Sequence, residues 1–156
     1  MSLSELIPQG GVVADLPATS RKQVLHSMAD LAERVYGTPA RPVLEAVMER
    51  ERLGSTGIGD GVAIPHARTS HVDRVCGVFA RLKHPVDFDS VDSRPADLIF
   101  LLLAPEDAGA EHLKALAKIS RLFRRQDFRQ ALRAAPSADA IQALLHESDA
   151  QSSNAA

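Results

Sequence analysis

Residues 54–68 read Gly-Ser-Thr-Gly-Ile-Gly-Asp-Gly-Val-Ala-Ile-Pro-His-Ala-Arg. The four glycines allow turns that other residues disfavour, and the apolar segment after them predicts a short strand over 62–65. Pro65 has a fixed φ and restricts Ile64 to extended geometry, so His66 should leave this strand in a defined direction. Backbone N–H groups of a glycine loop can also cradle an anion. The segment therefore presents one imidazole beside a candidate anion site, which favours phosphorylation of His66 as a hypothesis.

Familiar phosphate-binding and nucleophile motifs do not account for this segment. A Walker loop requires Gly-Lys-Ser/Thr at the start of a helix, and a dinucleotide fingerprint requires Gly-x-Gly-x-x-Gly between a strand and a helix. A hydrolase elbow, Gly-x-Ser-x-Gly, is missing because Ser55 directly follows Gly54. From these residues alone, a flexible hairpin that carries a solvated histidine stays open as the alternative.

Residues 54–66 resemble the active-site segment of the enzyme IIA proteins of the phosphoenolpyruvate-dependent phosphotransferase system, fructose/mannitol class, and are most similar to the nitrogen-regulatory branch. The likeness spans residues 4–146 and includes further short matches at 49–51, 88–92, 95–100 and 111–113. The resemblance implies that His66 accepts a phosphoryl group from a phosphohistidine carrier protein, assisted by His112 and Arg50. It also implies a phosphotransferase component that needs no cofactor.

The predicted roles around His66 follow from simple chemistry. An unperturbed histidine, with a pKa of about 6.5, is largely neutral at cytoplasmic pH, and we expect a loop carbonyl to hold its second ring nitrogen. His112, in the first turn of a predicted helix, is assigned as a neutral hydrogen-bond donor because the positive helix end disfavours charge on it. Arg50 lies in the last turn of another predicted helix. Arg52 and Arg68 are alternative candidates for its role.

The glycine loop supplies further candidate ligands of a phosphoryl group. The residues predicted to bind this group are Ser55, Thr56, Gly57 and Arg68. The two hydroxyl groups have an alternative role, because serine and threonine also cap turns. The pair Ala67-Arg68 departs from the Gly-Lys that is frequent in the family, which keeps the charge and reduces the backbone freedom.

The composition is that of an ordinary globular protein. The chain has 156 residues, 45% of them hydrophobic and 24% charged, which is the size of one domain. A net charge of −2 argues against a general nucleic-acid or membrane binder. Since the sequence lacks a membrane-length apolar run and a signal peptide, we expect a cytoplasmic protein. Cys76, the only cysteine, is predicted to lie in the core.

A metal site is not expected. The three histidines His66, His71 and His112 could in principle form one, but the sequence has no recognised ligand spacing. Four histidines are interpreted as structural or solvated: His26, His71, His84 and His146.

The order of elements predicts a three-layer α/β domain over residues 1–148, with a mixed, mainly parallel central sheet flanked by helices on both faces. Helices are predicted for residues 20–36, 41–53, 110 onwards, 127–135 and 138–146, and strands for 12–16, 62–65, 74–82 and 97–104, with an edge strand or loop at 85–92. Residues 149–156 are predicted to form a disordered tail. Because ligands collect at the carboxyl ends of such strands, we expect His66 and His112 to converge.

The resemblance implies a regulator whose phosphorylation on His66 changes which target proteins bind. Its partners would be the phosphohistidine carrier and the regulated targets, and a weak homodimer is left open. Two alternatives stay open as well: a sugar-transport IIA subunit that passes the phosphoryl group to a IIB domain, and a module that senses a small anion without covalent chemistry.

Overall fold

The computed structural model describes residues 2–154, with side chains described for residues 2–148. Helices and strands interleave along the chain. In chain order the elements are α1 (Leu3–Leu6), β1 (Val12–Leu16), α2 (Arg21–Tyr36), α3 (Ala40–Leu53), β2 (Gly57–Gly59), β3 (Val62–Ala63), β4 (His66–Arg68), β5 (Cys76–Val86), β6 (Ala96–Ala104), α4 (Gly109–Phe123), α5 (Gln126–Ala134) and α6 (Ala138–Asn154).

One six-stranded sheet organises the domain, in the order β1-β5-β6-β3-β2, with β4 also paired to β6. Three of the five pairings are parallel, β1 with β5, β3 with β6 and β4 with β6. The pairings of β5 with β6 and of β2 with β3 are antiparallel. The predicted mixed, mainly parallel sheet is therefore confirmed, although its longest pairing is antiparallel.

The central strand β6 is buried on both faces. Alternate side chains of a strand point to opposite faces, and those of β6 divide between two apolar clusters. Ile99, Leu101 and Leu103 pack with α2 and α3, whereas Leu98, Phe100 and Leu102 pack with α1, α4, α5 and α6. The three-layer arrangement that the continuous apolar run predicts is confirmed.

Strands β3 and β4 form one interrupted line along β6. Val62 lies opposite Leu98 and His66 opposite Leu102, so the register is the same on both sides of the break. The break falls at Ile64 and Pro65, where the proline has no N–H group to donate. The carbonyl of Pro65 nevertheless accepts a hydrogen bond from Leu102 N–H at 2.9 Å. His66 is thereby fixed beside the carboxyl-terminal end of the central strand.

The sequence does not predict three short elements, α1, β2 and β4. Helix α1 begins with a capping box formed by Ser2 and Glu5. Its four residues are too few to show a helical pattern of apolar positions. Strands β2 and β4 have no alternating apolar pattern, so they exist only because neighbouring strands supply hydrogen-bond partners.

The ends of several elements also differ from the predicted ones. Strand β3 ends at Ala63, and β5 extends to Val86 with a register irregularity before its last pair. Helix α6 continues beyond His146 to Asn154. The disordered tail predicted for residues 149–156 stays a prediction. Side chains are described only as far as residue 148, and residues 155–156 lie outside the described chain.

Cys76 is buried in the cluster that faces α2 and α3, as predicted. Burial raises the pKa of its thiol to about 11, so the group is protonated and unreactive at neutral pH. Within residues 2–154, no helix is both long enough and apolar enough to span a bilayer.

Candidate functional site

His66 is half-buried at the start of β4, and its ring is held by the backbone. Its Nδ1 lies 2.9 Å from the carbonyl oxygen of Ile64. A carbonyl oxygen can only accept a hydrogen bond, so Nδ1 must carry the proton. In the neutral ring, Nε2 then keeps its lone pair. The loop carbonyl that the sequence leaves unidentified is that of Ile64.

The surroundings of His66 favour the neutral ring. Burial lowers the pKa of His66, and the hydrogen bond to Ile64 partly opposes this effect. The positive charge of Arg50 lowers this pKa further, while the negative charge of Glu51 raises it. Because the net shift is downward, His66 is neutral at pH 7 and its Nε2 can act as a nucleophile.

His112 lies in the first turn of α4 and is only 6% exposed. Its Nδ1 accepts a hydrogen bond from Nε–H of Arg68 at 3.3 Å. The neutral ring therefore carries its proton on Nε2, which is buried and has no hydrogen-bond partner among the described residues. Burial lowers the pKa of His112, and the neighbouring His66 and Arg68 lower it further.

The two rings lie edge to face. Their centroids are 5.5 Å apart, with an angle of 72° between the ring planes. The fold thus brings together a nucleophilic nitrogen with a free lone pair and a neutral N–H donor that lacks an acceptor. A buried donor without an acceptor costs about 1–3 kcal/mol, so this N–H has the capacity to bind a further acceptor.

Arg50 and Arg68 place positive charge on two sides of the histidine pair. Arg68 contacts His112 directly, and the charge of Arg50 affects the pKa of His66. Arg50 also donates to the carbonyl oxygen of Gly54 at 2.9 Å, which fixes the start of the glycine loop. Arg52, the third arginine considered, instead pairs with Glu49 on the surface at 2.5 Å.

The loop groups Ser55, Thr56 and Gly57 are engaged within the fold. The Ser55 hydroxyl donates to the carbonyl oxygen of Phe88 and accepts from Gly57 N–H at 3.0 Å. The Thr56 hydroxyl donates to the carboxylate of Glu51. These contacts agree with the turn-capping alternative, and binding of a phosphoryl group by these three residues stays a prediction.

Two features of the site were not predicted from the sequence. Glu51, in the last turn of α3, binds the glycine loop, and its charge acts on His66. Ser90 packs directly against the loop at Gly57, where a Cβ atom would collide with the Ser90 hydroxyl. The family likeness includes residues 49–51 and 88–92 but implies no role for Glu51 or Ser90, and contacts between a loop and its neighbours leave no periodic pattern in the sequence.

The other histidines do not join the site. His26 pairs with Asp30 at 3.2 Å, His71 and His84 are exposed, and His146 contacts Gln142 at 3.0 Å. Within the part of the chain that the structure describes, no group of His, Cys, Asp or Glu side chains is arranged to hold a metal ion.

The sequence matches a family model and several known proteins. The family model "Phosphoenolpyruvate-dependent sugar phosphotransferase system, EIIA 2" matches residues 5–148. A nitrogen regulatory protein of Bradyrhizobium diazoefficiens is 46% identical over 145 residues, which cover 93% of this chain and 95% of that protein. A fructose-specific EIIABC component of Bacillus subtilis is 35% identical over 150 residues, covering 96% of this chain and 24% of that protein.

A solved structure is also similar. The nitrogen regulatory protein IIA-Ntr from Neisseria meningitidis aligns with a TM-score of 0.86 at 39% identity, over 92% of this chain and 98% of that one. Both the sequence and the fold are therefore shared with this protein along nearly the whole chain.

Buried neutral histidines make stability depend on pH. Since the pKa values of His66 and His112 are lowered in the folded protein, the unfolded chain takes up their protons first as the pH falls. The free energy of unfolding should therefore decrease below about pH 6.5. We expect His66→Asn or His112→Asn to reduce the number of protons taken up on unfolding by at most about one, and the pH dependence of the free energy of unfolding should weaken accordingly. Urea unfolding between about pH 8 and pH 5 measures it.

The matched control is His84→Asn, which changes an exposed histidine of β5. It should leave the slope unchanged. If the two site variants show the same pH slope as the unmodified protein, burial does not hold these rings neutral.

Proposed function

The chain belongs to the EIIA 2 family of the phosphoenolpyruvate-dependent sugar phosphotransferase system, and on this premise we propose that it is a phosphoryl-accepting regulator with His66 as the acceptor. One observation carries the proposal: the Ile64 carbonyl binds Nδ1 of His66, which leaves Nε2 as the free nucleophile. The residues proposed to act with it are His112, Arg50 and Arg68. Ser55, Thr56 and Gly57 are proposed to shape the loop around the bound group.

The proposed reaction is a phosphoryl transfer between two imidazoles. Nε2 of His66 attacks the phosphorus of the carrier's phosphohistidine, the nitrogen–phosphorus bond of the carrier breaks, and a new nitrogen–phosphorus bond forms on His66. Because Nδ1 of His66 keeps its proton throughout, the step needs no general base. Its rate then depends on alignment and on stabilisation of the equatorial oxygens.

His112 and the two arginines are placed to stabilise these oxygens. The free Nε2–H of His112 is the donor that lacks an acceptor, and a phosphoryl oxygen on His66 supplies one. Arg68 fixes the His112 tautomer by donating to Nδ1. Arg50 contributes positive charge at His66. A phosphoryl group adds roughly −1.5 to −2 charges, which these cations partly compensate.

The proposed output is regulation of other proteins in the cytoplasm. Identity reaches 46% with a nitrogen regulatory protein, whereas two fructose-specific relatives, one of them covered over 95% of its length, are 35% and 34% identical. Two exposed leucines adjoin site residues in the sequence, Leu113 next to His112 at 65% exposure and Leu53 three residues after Arg50 at 79%. An apolar surface next to a group that gains charge suits a partner that docks in one phosphorylation state only.

His66→Ala should abolish phosphorylation, because the proposed nucleophile is removed. Incubation with phosphoenolpyruvate, enzyme I and a phosphohistidine carrier, followed by intact-mass measurement, should show one acid-labile phosphoryl group on the unmodified protein and none on the variant. The matched control is His71→Ala, which removes an exposed histidine and should label normally. Full labelling of His66→Ala would refute the assignment. Absence of labelling on the unmodified protein would favour the non-covalent anion sensor.

His112→Ala should still accept the phosphoryl group, but more slowly. Loss of one hydrogen bond to a charged group should reduce the rate about 10- to 150-fold. Rapid-quench measurement of labelling tests this, with thermal unfolding as a check that the variant is folded. A rate equal to that of the unmodified protein would remove His112 from the mechanism.

A regulator should keep its phosphoryl group in the presence of a sugar-specific acceptor. We expect the phosphorylated protein to transfer little to the IIB part of a fructose-specific relative, while that relative's own IIA part transfers it readily. The measurement is loss of label from each IIA protein over time. Equally fast transfer from both would support the sugar-transport alternative instead.

A further inference from the structure

We propose that Glu51 is a positioning residue for His66, acting through Thr56 and Ile64. The inference rests on the proposed role of His66 as phosphoryl acceptor. It assigns a function to a carboxylate that does not belong to the histidine pair.

Glu51 is a nearly buried carboxylate with two partners. Its side chain, in the last turn of α3, is 7% exposed. One carboxylate oxygen accepts a hydrogen bond from the Thr56 hydroxyl, and the other accepts from Arg21 at 3.3 Å. Burial of a carboxylate is costly unless it is paired and hydrogen-bonded. Glu51 therefore ties α2 and α3 firmly to one residue of the glycine loop.

Thr56 passes this constraint to the imidazole. Its side chain is 4% exposed, and its carbonyl oxygen accepts a hydrogen bond from Ile64 N–H at 2.9 Å. The carbonyl oxygen of the same Ile64 accepts the hydrogen bond from Nδ1 of His66, also at 2.9 Å. Three consecutive hydrogen bonds thus connect the carboxylate of Glu51 to the ring that it does not touch.

Ile64 needs this external support. It lies in the break between β3 and β4, where Ala63 and His66 have partners on β6 and Ile64 has none. Its N–H group is instead held by Thr56. Thr56 lies among four glycines, whose backbone freedom would otherwise leave the position of the Thr56 carbonyl weakly fixed. Without Glu51, Thr56 loses the side-chain hydrogen bond that positions its carbonyl, and Ile64, whose carbonyl selects the His66 tautomer, is held less firmly.

Glu51 also acts on His66 through its charge. The charged and titratable groups that affect or adjoin His66 are Arg50 and Glu51 from α3, Arg68 from β4 and His112 from α4. The negative charge of Glu51 raises the pKa of His66, opposite to the effect of Arg50. Position and charge can be separated, because glutamine keeps an oxygen acceptor for Thr56 and removes the charge.

The experiment compares two pairs of variants by nitrogen NMR of the His66 ring and by the rate of phosphoryl acceptance. Glu51→Ala should give mixed ring tautomers and a rate at least about 10-fold lower, since misplaced reactants react slowly. Glu51→Gln should keep the Nδ1–H tautomer and lower the pKa of His66. Thr56→Val should resemble Glu51→Ala, and Thr56→Ser, which keeps the hydroxyl, should resemble the unmodified protein.

The matched control is Glu49→Ala, which removes a carboxylate from the same helix that is exposed and paired with Arg52. It should change neither the tautomer nor the rate. If both Glu51→Ala and Thr56→Val keep a single Nδ1–H tautomer and the rate of the unmodified protein, the proposal is overturned. If Glu51→Ala does not fold, the comparison of Thr56→Val with Thr56→Ser decides alone.

The NMR measurement needs no phosphoryl donor, so the two proposals fail separately. A protein that accepts no phosphoryl group from the donor system, but whose ring responds to Glu51 and Thr56 as described, would refute the proposed function and support the positioning role. A protein that accepts the phosphoryl group with an unresponsive ring would do the reverse.

Discussion

The hydrogen bond between Nδ1 of His66 and the carbonyl of Ile64 is the interaction on which the site depends. It converts an ambiguous imidazole into one with a defined nucleophilic nitrogen, because a carbonyl can bind only the protonated position. The bond spans just two residues, and its geometry requires an extended chain interrupted at Pro65. That interruption is tolerated because β3 and β4 keep one register along β6.

The glycine loop beside this bond is held at several points. Arg50 binds the carbonyl of Gly54 at its start, and Glu51 binds Thr56. At the far turn, Arg133 of α5 donates to the carbonyl of Asp60 at 2.8 Å and also binds Asp97. Helices on both faces of the sheet therefore contribute to the loop. A segment rich in glycine becomes a rigid part of the site through contacts with distant elements rather than through its own preferences.

Electrostatics and burial act together on the histidine pair. Burial lowers the pKa of each ring, and the neighbouring His66 further disfavours protonation of His112. The arginines at positions 50 and 68 add to this effect and supply positive charge for an anionic ligand. Two neutral imidazoles with opposite tautomers, one offering a lone pair and one offering an N–H, form an asymmetric pair suited to hold a group bonded to the first.

The sequence by itself determined the elements that have strong local signals. Helix α2 carries a Ser20 cap and a left-handed Gly37 at its end, and the apolar run of β6 required burial on both faces. The likeness of the segment around His66 to a known family pointed to the acceptor and to His112. Only the tertiary structure decided that β4 exists, that Ile64 fixes the ring, and that Glu51 holds the loop. Each of these depends on hydrogen-bond partners in other elements or on a peptide orientation, and neither leaves a periodic pattern in the residues.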